Sequence, residues 1–401
     1  MVIRPPKTTL YTTAGMLAVM TMLSAAIFTV AVFAPDAAAD IGLDPTWVGA
    51  FTSLVYLVAM FSGISTTTLV DRWGGIRVCQ GALGAIVVAM LLVALATPLT
   101  ALLSALLIGV AYGTFNPTSA YLLFDSTPER WRPLVFSVKQ AGVPLGGIVA
   151  GFSVPLIISF HSWQLSALVT ASLAASVALV ITPLGTDSGN HQRASRTTKR
   201  QSWSAPLGLV LKDHTLRIYL ALSFIYAGVQ VSISAFFVLY LVESVGMGLT
   251  TAGFVFAALQ AGGVFGRLIW GGVASGLESP SLVLTLIGLI TAISLGLAST
   301  ITLDWPLLLI LPLAFILGAA SSGWNGVLLS EVARLSPGGQ STETTGGVQF
   351  LMYFGVVVVP SIFAVGINLA GNYQVPFLFT GLMAMAAGIW LASSNKHLKS
   401  L

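Results

Sequence analysis

Charge is what this sequence has least of. Its 401 residues include 17 Lys or Arg and 13 Asp or Glu, so 7% are charged, against roughly 25% in a soluble domain. That shortage excludes a water-soluble fold of this length, which would need more polar surface to cover its core. Cysteine is scarcer still. The single Cys79 excludes an internal disulfide and any spaced cysteine set for zinc or iron–sulfur, and its plain reading is packing in an apolar setting. None of the four histidines, His161, His191, His214 and His397, is followed three or four residues later by a metal-ligand neighbour. A phosphate-binding glycine loop ending in Gly-Lys-Ser/Thr is also missing, so neither metal, ATP hydrolysis nor any cofactor is expected. Ten-residue segments of alternating polarity, the mark of a membrane barrel, do not occur.

What fills the chain instead is apolar, at 56% of residues. Runs of 18 or more such residues read as membrane-spanning helices. Twelve are found, at 10–34, 47–70, 78–96, 100–123, 134–158, 164–182, 215–242, 252–274, 280–299, 306–330, 344–370 and 375–394. The expected fold class is an all-α membrane protein. Ala37-Ala38-Ala39 resembles a signal cleavage site, but the first run is too long for a signal peptide and is read as a span.

The few charges are sorted by side. Laid alternately in and out, the runs leave every Lys and Arg on one side or inside a run. The other side carries only acids, Asp36, Asp40, Asp44, Glu243 and Asp304. By the positive-inside rule the basic side is cytoplasmic, with both termini there and the chain in an inner, plasma-type membrane. The net charge of +4 is thus a topology signal and gives no reason to propose nucleic acid. Trp47, Trp73, Trp131, Trp163, Trp203 and Trp305 fall at span ends, as an interfacial aromatic belt requires.

Residues 183–214 break the pattern as a polar, basic linker. They leave six spans in 1–182 and six in 215–401. The halves match at fixed offsets. A shift of 209 brings Asn116 onto Asn325, Phe115 onto Trp324, Gly109 onto Gly318 and Gln140 onto Gln349. A shift of 204 brings Phe61 onto Phe265. Parallel repeats of this kind occur in secondary transporters, with substrate held at the repeat interface. Polar residues also avoid spans 3, 6, 9 and 12, so every third helix is expected to face lipid while the others enclose a polar path.

With Gly63, the Asp71-Arg72-Trp73-Gly74-Gly75 stretch and Arg77, the chain resembles the major facilitator superfamily, whose loop between helices 2 and 3 carries such a motif. The resemblance implies two six-helix bundles that rock about a central site, in a monomer. It implies a cytoplasmic gate that includes Asp71, Arg72, Gly63 and Gly75. Two family features are missing. No Arg stands near Leu106 or Leu107 in span 4, and Gly142-Val143-Pro144-Leu145-Gly146-Gly147 is a poor match to the helix-5 motif of drug–proton antiporters. Pro144 should kink that span. The stretch from Gly263 through Gly266-Arg267 to Trp270-Gly271 resembles helix 8 of oxalate:formate and monocarboxylate porters, where the Arg contacts a carboxylate. Lys139 to Pro144 resembles porters of the cyanate type.

Arg267 and Lys139 are the two cations well inside runs, Arg217 standing at the cytoplasmic start of its run. Arg267 lies about 12 Å, and Lys139 about 8 Å, from the cytoplasmic edge at 1.5 Å per residue. A guanidinium with Gln260 two turns away on the same face suits a carboxylate. The other reading is an Arg satisfied by carbonyls at a helix break. Lys139 either lines the pathway or extends its stem to the cytoplasm. Tyr226 with Gln230, and Gln349 with Tyr353, share helix faces four residues apart. Asn116, Asn325 and Trp324 sit mid-span, either against ligand or in interhelical hydrogen bonds.

No Asp or Glu lies deep in any run. Two buried cations cost several kcal/mol unless neutralised, and an anionic substrate would neutralise them. The expected function is secondary transport of a small organic anion, with proton coupling or anion exchange. A multidrug exporter of the same fold is the alternative. An intramembrane enzyme would need a convergent nucleophile or His/Asp cluster within the spans, and none is found.

Overall fold

The computed structural model describes residues 6–63, 66–128, 131–185, 211, 213–277, 279–336 and 341–398. Among these, fourteen α-helices follow in order: α1 Lys7–Ile41, α2 Trp47–Ser62, α3 Thr66–Trp73, α4 Gly75–Val93, α5 Pro98–Ser126, α6 Arg132–Gln140, α7 Gly142–Phe160, α8 Trp163–Val180, α9 His214–Leu239, α10 Leu249–Leu277, α11 Pro280–Ala298, α12 Leu307–Leu335, α13 Ser341–Ala370 and α14 Gln374–Leu398. Eleven membrane-length apolar helices and the shorter apolar Trp47–Ser62 are found among the described residues. In lipid the backbone must satisfy its own hydrogen bonds, and helices do so within the segment. Large side chains such as Leu308, Leu369, Leu179 and Phe160 stand exposed, where acyl chains replace water.

The linker expected over 183–214 falls, for residues 186–210, outside the described part, and Trp203 with it. Among the described residues, the first, fifth and seventh runs depart from simple rods. The first continues past its expected end at 34, through Pro35, to Gly42, whose φ of 74° closes the helix in the left-handed region. The Ala37-Ala38-Ala39 stretch is therefore helical, with Ala37 and Ala38 buried. The fifth run is two helices meeting at Ala141, with Leu145 N–H donating to the Ala141 carbonyl at 3.1 Å. Pro144 has no N–H for the Gln140 carbonyl, so the helical ladder lapses one turn before the proline. The seventh run ends in a wide π turn over Tyr240–Ser244.

Two compact units are formed, one from 1–191 with 235–257 and one from 192–234 with 258–401. In the first, α4 packs on α5 and α8, and α1 on α7. The tip of the α9–α10 hairpin belongs to this unit. There Gly253 meets Pro155 and the Gly151 carbonyl, and Phe254 tilts onto Phe152 at 5.2 Å. In the second unit α11 packs on α12 and α14.

The sequence repeat has a physical counterpart in these units. In the first, a Cβ on Gly109 would lie 2.6 Å from the Val55 carbonyl oxygen, and one on Gly146 would lie 2.6 Å from that of Thr21. In the second, Gly318 abuts the Leu259 carbonyl and Gly355 that of Phe224. Gly109 and Gly318 are 209 apart, as are Gly146 and Gly355. Val55 and Leu259 are 204 apart, and Thr21 and Phe224 nearly so. Glycine lets two helix backbones touch where apolar burial cannot drive association.

The same geometry sets a prediction. Gly318→Ala pushes a methyl into a carbonyl and should destabilise by about 1–3 kcal/mol or more. Gly326→Ala, on the same helix with nothing within 4 Å, should be neutral or gain up to about 1 kcal/mol of helix propensity. Melting temperatures of the two purified variants check this; equal melting would contradict the close approach.

Candidate functional site

Lys139 is the penultimate residue of α6, two residues before the break at Ala141. Its side chain is 4% exposed. The ammonium donates to Asn116 Oδ1 at 2.9 Å and lies 5.5 Å from the Phe115 ring centroid. The snorkelling alternative is thereby overturned. Asn116 sits on α5, and Phe115 beside it is fully buried, so the amide oxygen and the ring face offer the ammonium an interior setting that competes with water. Cys79 is buried with its Sγ 4.0 Å from Met16 Sδ, a packing role as expected.

Arg267 lies on α10 and is half-buried. Its preceding neighbour Gly266 abuts the Ala319 carbonyl of α12, and Gly262 one turn earlier abuts that of Phe315. Trp270 Nε1 donates to the Ala319 carbonyl at 3.0 Å. These contacts fix the rotation of α10 and so the direction from which Arg267 projects. Gln260, two turns before it, is 2% exposed and directs its amide nitrogen at Ser234 Oγ across a long 3.5 Å contact. That contact turns the Gln260 amide nitrogen toward α9.

Three more residues expected at the ligand hold one another. Trp324 Nε1 donates to Gln230 Oε1 at 2.9 Å. The Trp324 indole meets the Tyr226 ring edge-on at 6.0 Å and 77°. Tyr226 donates its hydroxyl to the Leu284 carbonyl at 2.7 Å. Tyr226 and Trp324 are 3% and 1% exposed, so both serve the bundle interior. Sequence spacing puts Tyr226 and Gln230 on one face correctly, and the partner they share is Trp324. Asn325 places its amide nitrogen 3.9 Å from Met352 Sδ. Gln140, Gln349 and Tyr353 are half-buried.

The repeat exposes where the two halves differ. Phe115 and Trp324 are equivalent, yet one faces an ammonium and the other a carboxamide. Lys139 has Val348 as its counterpart at 209, and Arg267 has Gly63 at 204. Each unit therefore carries one cation deep in a span, at positions the repeat does not relate.

At the motif between spans 2 and 3, Asp71 and Arg72 lie exposed on the last turn of α3. Gly74, with φ of 81°, starts α4. A Cβ on Gly63 would lie 3.3 Å from the Gly113 carbonyl oxygen, and Gly75 is tight against Leu122. Glu331, 6% exposed, accepts from Arg334 Nε at 2.8 Å and Nη2 at 2.5 Å. Those bonds hold the Arg334 guanidinium above its ordinary pKa.

Trp163, expected in the interfacial belt, packs within the first unit. It is 4% exposed, tilted onto Phe33 at 4.8 Å, and donates to Asp40 Oδ2 at 2.8 Å. A carboxylate on the neighbouring helix gives its N–H a stronger acceptor than the interface offers. Nothing in the sequence pairs 40 with 163. Among the described residues no group of three His, Cys, Asp or Glu is placed to hold a metal.

Residues 15–360 match the family described as Major Facilitator Superfamily. Among solved structures, a point mutant of the nucleoside transporter NupG is 14% identical, with 96% of this chain and 99% of that one aligned at a TM-score of 0.75. A bacterial homolog of the human lysosomal transporter Spinster, inward-facing and occupied, is 13% identical over 96% and 97%, with a TM-score of 0.72. A point mutant of the E. coli fucose:proton symporter FucP is 18% identical over 96% and 99%, with a TM-score of 0.63. At these identities the likeness is one of fold. No curated protein matches the chain significantly in sequence.

Proposed function

The chain belongs to the major facilitator superfamily, as a multi-pass secondary transporter of small molecules, and we propose that its substrate is a small organic anion, foremost a carboxylate. The supporting observation is the unrepeated cation in each unit. Close glycine contacts and mid-span Asn recur in both halves because they build the scaffold. Lys139 and Arg267 recur in neither, so the scaffold does not require them. On this reading both act at the substrate, and their common charge selects an anion.

Arg267 offers a planar fork for two parallel N–H···O bonds to a carboxylate. Lys139 supplies a point charge, oriented by Asn116. Asn325, Gln349, Tyr353 and Gln140 form polar walls, while Tyr226, Gln230 and Trp324 hold the second unit's interior. Bundles 1–182 and 215–401, joined by 183–214, alternate access by a rocker switch, as a monomer in an inner membrane with both termini cytoplasmic. The anion exchanges for another or moves with a proton.

Thermal shift on the purified protein tests this, using formate, oxalate, lactate and cyanate. A ligand at a hundredfold excess over Kd adds about 2.7 kcal/mol, a plain rise in melting temperature. The rise should appear in wild type, vanish in Arg267→Ala and shrink in Lys139→Ala. Equal rises in all three would sink the reading. So would stabilisation by lipophilic cations alone, which would favour the drug exporter.

Asp71 and Arg72 are proposed as part of the cytoplasmic gate. Asp in a positive-inside loop adds nothing to orientation, which leaves a contact with a helix end as its use. Such a contact contributes about 0.3–2 kcal/mol. Asp71→Asn should therefore slow transport by about two- to thirty-fold while ligand-induced stabilisation stays intact. A loss of stabilisation with unchanged turnover would rule the gate out.

A further inference from the structure

A small cavity lies inside the second unit, lined by Tyr226, Ile287, Thr291, Ser321, Trp324 and their neighbours. Its volume is about 10 Å³, close to the minimum of roughly 10–15 Å³ that admits one water. A dry void of this size would need no comment if its walls were apolar. Two of them are not. Thr291 and Ser321 are 2% and 5% exposed. Among the described residues, neither hydroxyl has a hydrogen-bond partner within the protein, although most Ser and Thr in these helices bond to the carbonyl three or four residues back. A buried hydroxyl left without a partner costs about 1–3 kcal/mol, so two of them facing one water-sized space is a built polar site.

Tyr226 completes it. Its hydroxyl is committed as donor to the Leu284 carbonyl, which leaves its oxygen lone pair to accept. Two glycines keep room for that hydroxyl. A Cβ on Gly288 would lie 2.5 Å from it, and one on Gly388 would lie 3.0 Å away. The cavity thus offers a water two hydroxyls that can donate or accept and one that accepts, within the two to four partners such a water uses.

Trp324 forms the remaining wall, with its indole N–H fixed on Gln230. We propose that this cavity binds a single structural water through Thr291, Ser321 and Tyr226, and that this water holds the Trp324 indole in the orientation that reaches Gln230. The chain of contact runs from α11 and α14, through Tyr226 and the water, to Trp324 on α12 and Gln230 on α9. Without the water, the indole has an empty space behind it and can tilt away from Gln230. Thr291 and Ser321 are then positioning residues, acting through the water on Trp324.

The test is a high-resolution experimental structure of the wild-type chain beside that of Thr291→Val/Ser321→Ala, which strips both hydroxyls at nearly constant volume. Water density between the three side chains is expected in the wild type. In the variant the density should be lost, with the Trp324 N–H beyond hydrogen-bond distance of Gln230 Oε1. An empty cavity in the wild type overturns the proposal, and so does an unmoved indole in the variant. If the double variant fails to fold, Ser321→Ala alone carries the same comparison. None of these readouts uses an anion or transport, so failure here is distinguishable from failure of the anion reading.

Discussion

Arg267→Ala is expected to cut anion uptake by about one to two orders of magnitude. A hydrogen bond to a charged group contributes roughly 1.5–3 kcal/mol, and each 1.4 kcal/mol is tenfold. The effect should fall on substrate handling and spare the fold, because what fixes α10 lies elsewhere: Gly262 and Gly266 on the α12 carbonyls, and Trp270 on Ala319. Arg267→Lys separates charge from geometry. It keeps the positive charge and loses the planar fork, so uptake should sit between wild type and alanine. Initial rates of labelled anion uptake into proteoliposomes, across a range of concentrations, make the check. A raised KM at constant maximal rate would place Arg267 in ground-state binding. Wild-type uptake by Arg267→Ala would remove it from the site, and the satisfied-arginine reading would stand.

Lys139→Met should separate transport from stability. A buried charge is weak support for a fold, and an apolar replacement of similar length is often neutral or stabilising. The flexible Met side chain fills the space beside Phe115. The melting temperature should therefore hold or rise, while anion-induced stabilisation falls about tenfold or more in apparent affinity. Asn116→Ala makes the reverse case. It keeps the cation and removes its acceptor, so the ammonium loses a bond worth about 1.5–3 kcal/mol and the melting temperature should fall. If Lys139→Met melts far below wild type and still binds anions normally, Lys139 is a structural cation and the anion reading rests on Arg267 alone.

The rim acids frame both results. A cationic substrate would ask for a carboxylate deep in a span, and the sequence holds none. The acids lie near helix ends, like Asp125, or are engaged, like Glu331 with Arg334 and Asp40 with Trp163. The Asp40–Trp163 pair ties α1 to α8 and the Glu331–Arg334 pair stays within α12, so the charge set deep within the spans is positive.

Membrane spans are legible in the sequence because the constraint that makes them is local. Twenty apolar residues cross a bilayer whatever their neighbours, so the runs, their number and the family motif can be read directly. The repeat is legible too, since Gly109 and Gly318 must be glycine where two backbones touch. Which side chain meets which is not. Periodicity gives an azimuth on one helix and nothing about the helix opposite. So Lys139 can be placed in a span while its turn toward Asn116 cannot. Gln230 and Tyr226 can be placed on one face while their partner Trp324, 94 residues from Gln230, cannot. Trp163 can be placed at a span end while its partner Asp40 cannot. Thr291 and Ser321 carry no signal, because serine and threonine are common in these helices and only a cavity sets these two apart. The sequence by itself determined the spans, the repeat and the sign of the buried charge, each a matter of composition along the chain. Tertiary structure alone decided the partners, because a buried polar group is satisfied by whatever the neighbouring helix presents.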